Sequence, residues 1–465
     1  MRADVIAPLA ADQARGLVRA ALTRIDVMPR VDLVELGALL CVAYPVLAAG
    51  IAARPEDLVK IAPGIRHARD VRGYRRRAAT SVGDHSAPER LRSGLRRFAA
   101  REKLRIAARE LLAFPGGDVD VTARELADLA DVCCELALAE ALYWADEHFG
   151  VPLTAKGEQC SFVVIGMGKL GGRELNAGSD IDLMLFYETD DGHVREQTLH
   201  EYFTRVARRF VATLDDVTDD GRVWRVDLRL RPEGTSGALV NALAAAERYY
   251  ETWGRTWERA ALVRARPVAG DLRFGARLLD SLMPFVWRRI VDPKIVDEMS
   301  SLLARARAQA GDEAEQDLKI GPGGIREVEF FAQALQLVWG GREPRVRGAN
   351  TRDALRRLRS CGFVSEREEA DLTECYLTLR RLEHRVQFAT GQQTHQMPRD
   401  PEVLVRLARS LGYADAGELS HALAAVRARV SQRFASLGRE PPRDLSLERL
   451  WVALDTFDEP AVAGA

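Results

Sequence analysis

The stretch Ile165-Gly166-Met167-Gly168-Lys169-Leu170-Gly171-Gly172-Arg173-Glu174-Leu175-Asn176-Ala177-Gly178-Ser179-Asp180-Ile181-Asp182 decides how the rest of the chain reads. It continues an apolar run, Phe162-Val163-Val164-Ile165, whose β-branched residues predict a buried strand that the glycines stop. Glycines at 166, 168, 171 and 172 let backbone amides approach an anion without Cβ hindrance, and a short helical turn beginning there adds its positive end. The turn is therefore a candidate phosphate cradle. Next, Asp180-Ile181-Asp182-Leu183-Met184-Leu185-Phe186 predicts a second strand whose period of two puts both carboxylates on one face and Ile181 and Leu183 toward the core. Two acids side by side repel unless a cation neutralises them, and oxygen ligands of this kind suit Mg²⁺ or Mn²⁺.

A third acid follows. Trp224-Arg225-Val226-Asp227-Leu228-Arg229-Leu230-Arg231-Pro232 alternates strictly, so Asp227 shares a face with Arg225, Arg229 and Arg231. Alone, such a strand is better explained by a solvated charged face. Behind a glycine turn and an Asp-x-Asp strand, it supplies the third member of a trio.

This order of motifs resembles the nucleotidyltransferase fold of the polymerase β type. The wording Gly166-Met167-Gly168-Lys169-Leu170-Gly171-Gly172-Arg173-Glu174-Leu175-Asn176, followed by Ser179-Asp180-Ile181-Asp182-Leu183, is more specific. It resembles the family of bifunctional enzymes that adenylylate and deadenylylate glutamine synthetase. Val226 to Pro232 with Ser236-Gly237, Trp257-Glu258-Arg259-Ala260 with Arg264-Ala265-Arg266, and Lys319 to Phe330 appear in family order. The similarity spans residues 35 to 435. It implies an α+β fold in which a small mixed-sheet nucleotidyltransferase core is flanked by an N-terminal helical region and a C-terminal helical bundle. It further implies that Asp180, Asp182 and Asp227 are catalytic and hold two divalent ions, Mg²⁺ or Mn²⁺. Gly168, Lys169, Gly171, Gly172 and Ser179 would cradle phosphates. Lys319 is a further candidate contact, because it and Lys169 both lie in glycine-rich turns of a chain with only six lysines. Arg229 and Arg231 either neutralise developing charge or pair structurally with the acids. Arg326 and Glu329 would face the nucleotide.

Reaction direction does not follow from such a core, since one site stabilises one transition state both ways. Glu174-Leu175-Asn176, Gly324 to Phe330 and Gly340-Gly341-Arg342-Glu343-Pro344 resemble the N-terminal, adenylyl-removing half of the family enzyme. That likeness implies phosphorolysis of adenylyl-tyrosine on glutamine synthetase to ADP, in nitrogen regulation, with the PII signalling protein as a further partner. Alternatives are ATP-dependent adenylylation by the same core, RNA nucleotidyl transfer, or a non-enzymatic scaffold that binds glutamine synthetase or PII. No second Asp-x-Asp core occurs in the 465 residues.

Composition narrows the classes. Net charge of −1 calls for neither nucleic acid nor an acidic membrane. The six cysteines form no Cys-x-x-Cys pair, which suits a reducing cytoplasm, and the histidines form no ligand cluster. Leu36 to Ala53 carries no charge, but Gly37, Pro45 and Gly50 interrupt it, so a buried helical hairpin broken at Tyr44-Pro45 is expected instead of a membrane span. Arg90 to Leu112 reads as a basic, solvated helix. Thr122-Ala123-Arg124-Glu125 reads as a capping box opening a long helix to Phe149. Trp257 to Arg266 reads as a helix with solvated arginines. From Val291 the pattern is helical. The expected division is 1–116 helical region, 117–290 catalytic domain, 291–438 bundle and 439–465 linker, with the first break at Pro115-Gly116-Gly117.

Overall fold

A computed structural model describes residues 1–83, 87–113, 118–290 and 294–437. The expected break at Pro115-Gly116-Gly117, the bundle start at Val291 and the tail from Glu440 fall outside these residues. The fold is α+β, a small mixed sheet with helices before and after it in the chain. The strands are β1 Leu153–Thr154, β2 Phe162–Gly166, β3 Ile181–Tyr187, β4 Gly192–His193, β5 Val226–Asp227, β6 Asn241–Ala242 and β7 Arg266–Gly270. The main sheet runs β5-β3-β2-β7 with β6 also paired to β3, and β1 and β4 form a separate ribbon. β3 lies antiparallel to β2 and parallel to β5, in a register that sets Asp182 opposite Asp227.

Both faces of this sheet are covered, which is why β2 and β3 are apolar apart from Asp182. Phe162 and Val164 of β2 join Ile181, Leu183 and Leu185 of β3 in one core with the helices Pro88–Leu111, Val119–Phe149 and Leu199–Asp215. The alternate residues Val163, Ile165, Met184 and Phe186 enter a second core with Met299, Phe330 and Leu337. The C-terminal helices Ile295–Ala310, Ile325–Trp339, Thr351–Ser360, Glu366–Thr390, Pro401–Ser410 and Ala416–Ser436 follow the apolar periodicity closely.

Several local expectations are corrected. The alternating run from Trp224 to Pro232 pairs only over Val226–Asp227. The Asp227 carboxylate accepts the Arg229 amide at 2.8 Å, a side-chain turn that ends the strand. The helix Thr256–Leu262 is shorter than expected, because Pro267 disfavours helix just before it and Arg266 opens β7, an edge strand that tolerates that proline. Thr122 and Glu125 do not cap; Asp118 does, accepting the Val121 amide at 2.9 Å, and Glu125 is buried. Nor is the basic helix Pro88–Leu111 solvated throughout. Its Arg105 and Arg109 are buried against Glu125, with Arg105 also on Glu102. The uncharged stretch forms the helices Val31–Ala43 and Leu47–Ala53 with Pro45 between them, and no helix among the described residues is long and apolar enough to cross a membrane.

Candidate active site

A cavity of about 510 Å³ opens where the glycine turn, the edge of the sheet and the bundle meet. Its lining includes Gly168, Lys169, Ser179, Asp180, Asp182, Asp227, Arg229 and Lys319. Gly171, Gly172 and Arg231 do not line it.

The acids arrive from neighbouring elements. Asp182 stands on β3 and Asp227 faces it on β5, while Asp180 precedes β3 by one residue. The Asp182 carboxylate accepts no hydrogen bond among the described residues. Burial, then the neighbouring Asp227 and Asp180 charges, push its carboxyl up to about 6, against the pull of Lys319 and Lys169. Asp227 moves the other way. Burial works to raise it, but the Arg229 guanidinium (Nε to Oδ2 2.9 Å) and the Arg229 amide prevail and hold it below its ordinary range. Asp180 Oδ1 lies 2.5 Å from Arg225 Nε without hydrogen-bond geometry.

The turn Gly168–Gly171 is a short helix on which two glycines have distinct tasks. Gly168 has φ +52°, and a Cβ there would meet Asp182 Oδ2 at 2.7 Å, so glycine lets the chain pass directly over the carboxylate. At Gly171 a Cβ would fall 1.6 Å from the Arg264 carbonyl oxygen, so this glycine serves packing against the segment leading into β7. Gly172 packs likewise against the Ala349 carbonyl. Arg231 is turned into its own loop, donating to the carbonyls of Leu228 (2.9 Å) and Ala238 (3.1 Å). Those contacts make 234–237 a structural turn.

The two lysines differ. Lys169 is buried with Nζ 2.9 Å from Glu383 Oε1, and burial brings its ammonium down to about 8 despite that partner. Lys319 makes no ion pair among the described residues. The turn that carries it closes on itself, with the Gly323 amide donating to Glu327 and the Gly324 amide to the Gly321 carbonyl, so its amides are engaged internally.

Residues that sequence reasoning missed come mainly from the helix Glu366–Thr390. Arg380 donates to the Glu174 carbonyl and to Asn176, His384 Nε2 lies 2.9 Å from Asn176 Oδ1, and Gln387 accepts the Gly178 amide at 3.2 Å. Together with Glu383 they grip the turn and the loop that delivers Ser179 and Asp180. The available signal was a polar stripe at 380, 383, 384 and 387, with helical spacing. Arg264, expected on a solvated helix, is buried between Glu174 (3.0 Å) and Glu329 (3.1 Å); Arg266 pairs with Asp131 at 2.8 Å. Glu329 and Arg326 do line the cavity. The Glu329 carboxyl, which burial alone would raise, is brought to about 2 by Arg264, Arg326 and the two lysines.

The donor set suits a hard divalent cation: carboxylate oxygens only, with Asp182 unpartnered and destabilised as an anion. Asp180 and Asp227 are engaged by Arg225 and Arg229, and among the described residues no three acid, histidine or cysteine side chains enclose a common metal position.

Comparison with known proteins identifies the family. A family model described as glutamate-ammonia ligase adenylyltransferase matches residues 35–281, more than half of the chain, and one described as GlnD PII-uridylyltransferase matches residues 296–437. The chain is 40% identical over 380 residues to the bifunctional glutamine synthetase adenylyltransferase/adenylyl-removing enzyme of Nitrosococcus oceani, covering 80% of this chain and 39% of that protein. It is 38% identical to the proteins of the same description from Chromobacterium violaceum over 411 residues (86% and 45%) and Burkholderia mallei over 447 residues (90% and 48%). The chain thus spans under half the length of these curated relatives. With Asp182 set beside Asp227 under the Gly168 turn, and with that turn, both acids and Asp180 inside the matched segment, the chain belongs to the glutamate-ammonia ligase adenylyltransferase family.

Proposed function

We propose that this chain carries out phosphorolysis of adenylyl-tyrosine on glutamine synthetase. Inorganic phosphate forms a bond to the α-phosphorus, the bond to the tyrosine oxygen breaks, and the products are ADP and unmodified tyrosine. The observation that carries the reading is Asp182, a carboxylate without a hydrogen-bond partner, set against Asp227 and Asp180 in a cavity also lined by Lys169, Lys319 and Arg229. Support for the removing direction is the likeness of Glu174-Leu175-Asn176 and of Gly324 to Phe330 to the adenylyl-removing half of the family.

In this reading Asp180, Asp182 and Asp227 would hold Mg²⁺ or Mn²⁺, which supplies Lewis-acid stabilisation of the attacking and leaving oxygens. The other roles belong to the chain itself. Lys319, free of ion pairs among the described residues, neutralises incoming phosphate oxygens. Arg229, whose side chain is 75% exposed, presents its outer N–H groups to the same oxygens while keeping Asp227 ionised. Gly168 admits the substrate backbone-close, with no Cβ above Asp182. A phenol of ordinary pKa about 10 leaves without a strong general acid once its charge is stabilised. Segment 296–437, which resembles a PII-uridylyltransferase, is the part we assign to a PII-type regulatory partner.

The test is to incubate the chain with adenylylated glutamine synthetase, Mg²⁺ and phosphate. ADP release matched by loss of adenylyl-tyrosine is expected. AMP release, or no turnover alongside labelling of unmodified target from ATP, overturns the direction.

A further inference from the structure

The far wall of the cavity does work that phosphate chemistry does not require. Three helices each present a face with i, i+3, i+4 spacing to it: Trp257, Ala260 and Ala261 from Thr256–Leu262, Met299, Leu302 and Leu303 from Ile295–Ala310, and Arg326, Glu329 and Phe330 from Ile325–Trp339. Along the last of these the character changes. Arg326 and Glu329 stand near the lysines, since both lysines act on the Glu329 carboxyl. One turn further, about 6 Å along the axis, comes Gln333. It is 5% exposed, lines the cavity, and its amide makes no hydrogen bond among the described residues. The side chain is packed in while its amide oxygen and nitrogen open to the cavity, where they can meet a partner that offers both a donor and an acceptor. The same cavity is also lined by the buried Met299, Leu303 and Phe330 and by the more exposed Trp257.

We infer that this wall is the nucleobase subsite, with Gln333 pairing to the edge of adenine through one N–H donor and one carbonyl acceptor. The inference rests on the nucleotidyl-transfer reading of the same cavity and adds how the base is held and chosen. Adenine offers an N6–H donor beside a ring-nitrogen acceptor, the edge that a glutamine amide matches bidentately. Its two faces are apolar and aromatic, which suits a wall of methionine, leucine and phenylalanine. A base with two adjacent donors fits a carboxylate better than an amide.

Isothermal titration of the full chain with ADP, GDP and UDP in Mg²⁺ separates the possibilities without requiring turnover. The unmodified chain is expected to favour ADP. Gln333→Met, close in volume, is expected to weaken ADP on the order of tenfold and UDP much less. Gln333→Glu is expected to lose ADP similarly and to bind GDP more tightly than the unmodified chain does, because the carboxylate accepts from the guanine N1–H and N2–H groups. The Gln333→Glu reversal is a gain, so misfolding cannot produce it; circular dichroism and thermal melts check both variants. Equal losses for all three nucleotides, unchanged ADP affinity in both variants, or no nucleotide binding by the unmodified chain overturns the subsite. Failure of phosphorolysis with ADP selectivity lost in Gln333→Met refutes the reaction direction and leaves the base subsite standing.

Discussion

Asp182 combines two costs that a folded protein ordinarily avoids, a buried carboxylate and two like charges beside it. Its folded carboxyl holds the proton up to about 6, above its ordinary 3.8, so the folded state binds more protons than the unfolded chain between those values. The penalty is therefore absent below about pH 4, grows from there to about pH 6, and is complete above it. Asp182→Asn should stabilise the metal-free chain at pH 7.5 by about 1–3 kcal/mol and do little at pH 4, as read from urea unfolding at both values. Under the proposed phosphorolysis the same variant should reduce ADP release at least about 100-fold, through loss of a carboxylate proposed to hold the cation. A variant equally stable at both pH values would show that Asp182 carries no such strain. At Gly171 the constraint is steric: Gly171→Ala drives a methyl into the Arg264 carbonyl and should cost about 3 kcal/mol, measured by the same unfolding midpoint.

Among the elements, the helix Glu366–Thr390 does most to shape the site from outside the sheet. Its buried Glu383 meets Lys169 at 2.9 Å, His395 Nδ1 at 2.6 Å and Arg380 Nε at 3.4 Å, so one carboxylate ties the glycine turn to the bundle. Removing one partner of a buried pair leaves an uncompensated charge. Glu383→Gln should therefore destabilise by about 3 kcal/mol. Lys169→Met should cost less, because Glu383 keeps Arg380 and His395. The double variant should fall short of the summed losses by at least about 1 kcal/mol, a coupling that a double-mutant cycle in urea measures directly. Strict additivity would mean that Lys169 does not depend on Glu383.

For the whole molecule, the sheet is packed on both faces, with β2 and β3 sending alternate residues to the N-terminal helices and to the helices Ile295–Ala310 and Ile325–Trp339. His384 adds a buried polar tie, its Nδ1 3.1 Å from Glu110 on one side and its Nε2 2.9 Å from Asn176 on the other. Neither flank can leave without exposing a face of the sheet. Residues 1–437 should accordingly unfold in one calorimetric transition, with van't Hoff and calorimetric enthalpies in agreement. Two resolved transitions would show that the helical bundle is an independent unit.

The sequence by itself determined the parts whose pattern is local. Glycine spacing at 166 to 172, the Asp-x-Asp start and apolar run of Asp180 to Phe186 and helical periodicity from Ile295 to Ser436 fix the turn, the central strand and the bundle helices, because steric freedom and side-chain period act over a few residues. They also brought Asp180, Asp182 and Asp227 together as candidates. Tertiary structure decided what each polar group meets. Arg231 and Arg229 stand two residues apart on the same alternating run, yet one closes a loop and the other faces the cavity, since the strand ends at Asp227, ahead of both, and the turn that follows no longer keeps its alternation. Arginines that read as solvated at 105, 109 and 264 are buried, because their carboxylate partners come from distant segments. Only the packed fold sets such partners within reach, and only there does desolvation give a lone carboxylate such as Asp182, or a lone amide such as Gln333, its chemical meaning.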